Sequence, residues 1–303
     1  MYPFAFARPA TLADALALLE AHGAGARLLA GGTDLVVELR NRALRPTIVI
    51  DLKRVAELRP SIGESGDYLR IGATVAMANI EADARVRANF PALVEAASVV
   101  GSIQIRNRAT LVGNICHASP AADTAPALLV YGAEVNLASV RGTRRLPLTE
   151  FFLGPGKTAL TAGELVTSID LPLVKQRHGA AFARLTRRRG VDLATINLCC
   201  RVDARGETLY AFGAVGPRPF LVADSSGVLA DSKASDVARD EILLQLLTQA
   251  SPITDVRGSR EYRRAMLLVM SRRALRTAID RLAQSASPRD SPPTLGEGRV
   301  GAS

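Results

Sequence analysis

ARLLAGGTDLVVELRNRALRPTIVIDL, residues 26–52, contains two apolar runs separated by a glycine pair and a short amphipathic stretch. ARLLA (26–30) reads as a short buried strand. Gly31-Gly32 ends it, Thr33 is placed to cap a helix over 34–41, and the β-branched run PTIVIDL (46–52) reads as a second strand. A helix also precedes the unit. Thr11 starts it, Asp14 completes a capping box, Leu12, Leu16 and Leu19 form an apolar stripe, and Gly23 is its C-cap. The first 55 residues are therefore expected to form a compact α/β unit.

A strand that ends in glycines and opens into a helix suits an anion. Consecutive amides converge on one point, the helix start adds positive potential, and a residue without Cβ lets a ligand approach. An ordinary strand-to-helix turn is the competing reading. Further along stands RNRATLVGNICHASPAADTAPALL, residues 106–129. Thr110 offers a hydroxyl, Gly113 allows close approach, Asn114 brings amide donors, and Asp123 can accept from sugar hydroxyls or cap the following helix. Two neutral, donor-rich turns suit a diphosphate, and a nearby acid suits a ribose or ribityl chain. With one turn in each of two subdomains, an extended dinucleotide in the cleft between them is the expected ligand. Two other matches fail. GAGARL (23–28) lacks the third glycine of a dinucleotide fingerprint, and GPGKT (154–158) has Phe151 where a P-loop needs glycine.

Strands are expected at 67–73, 134–139, 143–148 and 164–172, with a turn at Arg141-Gly142. Thr74 is read as the cap of a short helix, and 90–100 as an amphipathic helix. PLVKQRHG (172–179) reads as a boundary. Strands at 180–187, 193–202 and 207–215 and helices at 236–249 and 259–284 follow, which points to an α+β domain with a three-stranded antiparallel sheet. The Ser/Pro/Gly-rich end, 286–303, is expected to be disordered. The predicted divisions are 1–55, 56–175, 176–285 and the tail.

The net charge of +9 raises the question of nucleic acid. Most of the excess falls between Arg257 and Arg281, with Arg187-Arg188-Arg189 as a second cluster. Aromatic content of 4% without tryptophan leaves few stacking platforms, so the reading is a solvated basic face or a docking face for an acidic partner. Three cysteines without a C-x-x-C spacing argue against disulfides and against an iron–sulfur or zinc site within the chain. No membrane span and no secretory leader are read, so a cytoplasmic location is expected.

LLAGGTDLVVELR, TLVGN followed by ASPAADTAPALL, and the SREYRR…RAL pattern from Ser259 resemble the FAD-binding medium subunit of molybdenum hydroxylases. That family includes the flavin subunit of bacterial carbon monoxide dehydrogenase and the flavin portion of xanthine dehydrogenase. The resemblance covers residues 1–285 and implies a two-subdomain FAD fold of the vanillyl-alcohol-oxidase (PCMH) type with a small C-terminal α+β domain. It implies that Leu28, Leu29, Ala30, Gly31, Gly32, Thr33, Asp34 and Leu35, with Thr110, Leu111, Val112, Gly113 and Asn114, hold the pyrophosphate. It assigns Asp123 to a hydroxyl of the adenosine or ribityl part. Val166 takes the place of a hydrophobic residue in its strand, and Arg184 that of a more usual lysine. The family turn is Thr-x-Gly-Gly-Asn, and Val112 replaces its first glycine; a β-branched residue there costs binding only if φ is positive.

The implied role is electron transfer. A molybdenum-cofactor large subunit oxidises the substrate, 2Fe-2S clusters of a small subunit carry the electrons, and FAD on this chain passes them to an external acceptor. No acid, base or nucleophile is assigned. Two alternatives stand beside it: a self-contained FAD-dependent oxidoreductase with its own substrate pocket, and a basic nucleic-acid or scaffold module that has lost flavin.

Overall fold

The computed structural model describes residues 1–173 and 175–284. The expectation of a disordered tail over 286–303 lies outside the described residues. Strands β1 (Ala5–Ala7), β2 (Ala26–Leu29) and β3 (Ile48–Asp51) form a parallel sheet in the order β1-β3-β2. The fully buried Ile-Val-Ile-Asp of β3 makes it the central strand. Helix Leu12–His22 lies between β1 and β2 in the chain. Thr11 Oγ1 accepts from the Asp14 amide, but its hydroxyl turns to the Asp14 carboxylate, so the capping box has only one backbone arm. Gly23 closes the helix with φ 46°.

β4 (Ile62–Ser65), β5 (Tyr68–Gly72), β6 (Glu134–Ser139), β7 (Gly142–Pro147) and, after the short hairpin β8–β9 (Phe152–Gly154, Lys157–Thr158), β10 (Leu165–Pro172) follow. All but the hairpin join one antiparallel sheet in the order β4-β5-β10-β6-β7. The Arg141-Gly142 turn joins β6 to β7 as expected. Helices Met77–Ala82, Ala84–Asn89, Pro91–Ser98, Leu111–His117 and Thr124–Val130 fill the long β5–β6 connection. Thr74 does not cap the first of them: its hydroxyl donates to the Leu58 carbonyl, and the helix begins after Ala76. A buried hydroxyl takes the nearest unpaired carbonyl in preference to a solvated helix end. One continuous apolar core runs from Ala15 and Ile50 through Leu93 and Leu128 to Ile169 and so serves both sheets.

The C-terminal part carries a correction. Its antiparallel sheet has four strands: β11 (His178–Leu185), β12 (Ile196–Asp203), β13 (Thr208–Gly213) and β14 (Phe220–Asp224). The short β14 follows Pro217 and Pro219, which masked it in the sequence pattern. Successive side chains on these strands point to opposite faces. Ala180, Cys199 and Ala211 face the first core, against helices Pro91–Ser98 and Thr124–Val130; Ala181, Leu198, Cys200, Tyr210 and Phe212 face a second core under helix Arg260–Gln284. The neighbours Cys199 and Cys200 thus belong to different cores. Helix Arg260–Gln284 buries Arg263, Leu267, Met270, Ser271, Ala274, Leu275 and Ala278, a single stripe at helical spacing.

The basic run on this helix is largely engaged with its own chain. Arg257 and Arg263 pair with Asp255, Arg260 donates to the Pro252 carbonyl, Arg272 pairs with Asp240, and Arg281 pairs with Glu95. Among the described residues no helix is long and apolar enough to cross a membrane.

Arg263 is the anchor of the second core. Its guanidinium lies buried and donates to Thr195 O at 2.7 Å, Ala214 O at 2.9 Å and Asp255 at 2.6 Å. Arg263→Met leaves two buried carbonyls without a donor and takes from Asp255 one of its partners, Arg257 remaining, and urea unfolding should show a loss of roughly 3–5 kcal/mol. A loss below about 1 kcal/mol would mean that the helix is held by its apolar stripe alone.

Candidate functional site

The first glycine turn projects from the end of β2. Helix Leu35–Arg40 opens from Gly32, whose carbonyl accepts from the Val36 amide at 3.0 Å. Thr33 provides no side-chain cap, contrary to expectation, and neither does Asp34. As a result the amides of Gly32, Thr33, Asp34 and Leu35 donate to no acceptor in the described chain. Four adjacent free N–H groups at a helix start form a site for negative charge. Gly32 adopts φ 78°, where a side chain is strained. A Cβ on Gly31 would stand 2.1 Å from the Arg108 carbonyl oxygen and 3.0 Å from the Ala109 Cα. The backbone of the first turn is therefore packed directly on the chain entering the second.

The second turn is built differently from the sequence expectation. Thr110 Oγ1 accepts from the Gly113 amide at 3.0 Å and so caps helix Leu111–His117. A Cβ on Gly113 would meet that hydroxyl at 2.7 Å. Leu111 N donates to Val75 O and Asn114 N to Thr110 O. Of the amides from Leu111 to Asn114, only that of Val112 finds no acceptor among the described residues. Val112 is helical and absent from the positive-φ residues, so the valine costs the turn no strain. Asn114 Oδ1 accepts from the Thr124 hydroxyl at 2.7 Å, an arrangement that fixes the amide and leaves Nδ2 as a donor.

Both turns open on one cleft of about 860 Å³. It gathers Leu28, Ala30 to Leu35, Thr110, Val112, Gly113, Asn114, Asp123 and Val166. Leu29, Leu111 and Arg184 do not line it. Leu111 is fully buried beneath its turn. Arg184 stands behind Asp123, with its Nε 3.1 Å from Asp123 Oδ1. Asn197 Nδ2 donates to the same oxygen at 2.9 Å. Asp123 makes no cap bond to helix Thr124–Val130; its carboxylate is turned to the C-terminal sheet. Burial pushes the Asp123 carboxyl up to about 6, against the pull of Arg184 and Asn197. Burial likewise pushes the Cys116 thiol, on the same wall, up to about 12, which keeps it protonated.

The sequence reading missed a whole wall of the cleft. Arg187, Arg188, Val191, Asp192 and Leu193, on the loop between β11 and β12, and Arg257 reach it from the C-terminal domain. The one available signal was local: Gly190, with φ 104°, turns a polar loop between two strands and exposes Val191 and Leu193. The lining carries four arginines (Arg27, Arg187, Arg188, Arg257) and four acids (Asp34, Glu38, Asp123, Asp192). With the side-chain charges balanced, free backbone amides set the preference for an anion.

Residues 2–174 match the family described as the FAD binding domain in molybdopterin dehydrogenase, and residues 180–292 match the CO dehydrogenase flavoprotein C-terminal domain. The chain belongs to the FAD-binding family of molybdopterin dehydrogenases. Within that family it is 33% identical to the xanthine dehydrogenase FAD-binding subunit of Escherichia coli O157:H7, over 92% of this chain and 97% of that one. It is 32% identical to the carbon monoxide dehydrogenase medium chain of Hydrogenophaga pseudoflava, over 92% and 98%. Its fold matches a chain of reconstituted CO dehydrogenase from Oligotropha carboxidovorans with TM-score 0.86 and 30% identity, covering 93% of this chain and all of that one. The residues present fit the family's FAD: glycines packed where no Cβ has room, unpaired amides at two turns, and one cleft lined by both turns and by a loop of the C-terminal domain.

The raised Asp123 value has a direct consequence. Folding favours the protonated form, so the carboxyl adds stability below about pH 4, and that stability is lost as pH rises through about 6. The unfolding free energy of the wild type relative to Asp123→Asn should therefore fall between pH 4 and pH 6 and be level above about pH 7. Urea melts across that range test it; a difference independent of pH would show that Asp123 keeps an ordinary carboxylate value.

Proposed function

We propose that this chain is the FAD-carrying electron-transfer subunit of a heteromeric molybdenum hydroxylase. It takes electrons from 2Fe-2S clusters of a small subunit, supplied by a molybdenum-cofactor large subunit, and passes them to an external acceptor. The observation that carries the reading is the meeting of two glycine turns, through the Gly31–Arg108 contact, on one cleft with unpaired amides. Similarity to medium and FAD-binding subunits over almost the whole chain supports the division of labour.

In this proposal the amides of Gly32 to Leu35 hold one phosphate of the FAD diphosphate. The Val112 amide and Asn114 Nδ2 hold the other. Asp123 accepts a hydroxyl of the adenosine or ribityl chain through the oxygen that Asn197 leaves free. Arg184 acts through Asp123 as a positioning residue, fixing the carboxylate by an ion pair across the domain seam. Val166 and Leu165 give the cleft an apolar wall, and Leu29 and Leu111 support the turns from below. Val191 and Leu193, with Arg187 and Arg188, exclude water from the C-terminal side. When bound, FAD supplies the redox chemistry; the protein binds, orients and shields it.

Purification from the native source without stripping partners should yield a yellow assembly. It should release FAD on denaturation and carry iron and molybdenum in the co-purifying chains. Gly31→Ala should lose FAD, with its Kd raised at least about tenfold, because the added methyl forces the two turns apart. A colourless wild-type protein that travels alone, or a Gly31→Ala variant with full FAD content, would overturn the reading.

A further inference from the structure

We propose that a second cavity, of about 400 Å³, at the seam between the FAD-binding and C-terminal domains binds a small phosphate-bearing anion. It is separate from the cofactor cleft and shares no lining residue with it. The connector between the domains supplies Lys175 and Arg177, and the last turn of helix Arg260–Gln284 supplies Arg281. Among the described residues no carboxylate lines the cavity. Arg281 is partly neutralised by Glu95, and the nearby Asp203 is engaged by Gln176 Nε2 at 3.1 Å. The side chains of Lys175 and Arg177 make no hydrogen bond or ion pair with any described residue, and both are exposed. Two uncommitted cations on a concave site that no carboxylate of the described residues lines select an anion.

The floor of this cavity is fixed. The His178 ring lies 5.9 Å from that of Tyr131, edge to face, and its Nδ1 is 3.1 Å from the Gln176 carbonyl. Gly179 is seated where a Cβ would stand 2.0 Å from the Ala278 carbonyl oxygen, so the start of β11 is locked to the long helix. The positive end of helix Pro91–Ser98 and the negative end of helix Arg260–Gln284 both border the cavity. Their dipoles offset, which leaves the side-chain cations to decide the sign. The volume suits a small molecule, and Phe90 and Pro91 give it an apolar side. A ligand here touches both domains and the segment joining them, and so braces their seam.

The test is isothermal titration of the full-length chain with inorganic pyrophosphate, FAD being held at saturation to fill the first cleft. One pyrophosphate site is expected. It should weaken at least about tenfold in a Lys175→Ala, Arg177→Ala double variant, because both charge-assisted contacts are lost. Arg273→Ala with Arg276→Ala removes the same charge from the exposed face of the long helix and should leave it unchanged. Gly31→Ala, which disables the cofactor cleft, should also keep it, so a failure of the FAD reading leaves this result readable. No binding under FAD saturation, equal weakening in both double variants, or loss in Gly31→Ala would each overturn the proposal.

Discussion

The backbone of Gly31 lies against the carbonyl of Arg108 with no space for a methyl group. That contact brings the end of the parallel sheet to the chain entering the second turn, and the cleft depends on it. Each turn alone is an ordinary helix start. Together they leave the amides of residues 32–35, the Val112 amide and Asn114 Nδ2 bordering one space. The contribution is uneven. The first turn leaves its amides unpaired because neither Thr33 nor Asp34 caps the helix. The second spends its amides on Thr110 and Val75, and so provides rigidity more than donors.

The C-terminal domain completes the cleft and is held to it by a few buried and half-buried polar contacts. Arg184 reaches Asp123, Asn197 donates to the same carboxylate, and Glu95 accepts from the Phe182 amide while pairing with Arg281. Each contact joins residues far apart in the chain across a seam whose apolar part is the packing of Ala180, Cys199 and Ala211 against the first core. The cost of burying Asp123 shows in its raised proton affinity. A change in its partners would be felt both in the domain seam and at the cleft wall.

Local pattern made much of this legible. Glycine pairs between an apolar run and an amphipathic one, β-branched runs, and the stripe on helix Arg260–Gln284 are short-range signals, and the elements they announce are present. Long-range choices were not legible. Thr74 bonds Leu58, sixteen residues back, instead of its own helix. Asp123 pairs with a strand sixty-one residues on, so its identity as an acceptor could be read but its partner could not. Strand Phe220–Asp224 hid behind two prolines, and the loop bearing Arg187 and Leu193 meets the cleft only through the docking of one domain on the other. The run of basic charge was legible but its partners were not, since Arg257, Arg263, Arg272 and Arg281 pair with acids elsewhere in the fold.

The central claim is that main-chain donors from two separate lobes share one dinucleotide diphosphate. A crystal structure of the chain with FAD bound tests it most directly. The account predicts the diphosphate between residues 32–35 and 112–114, with the Gly31–Arg108 contact intact. A diphosphate bound to one turn alone, or to arginines of the C-terminal loop with the residue 32–35 amides facing solvent, would contradict it.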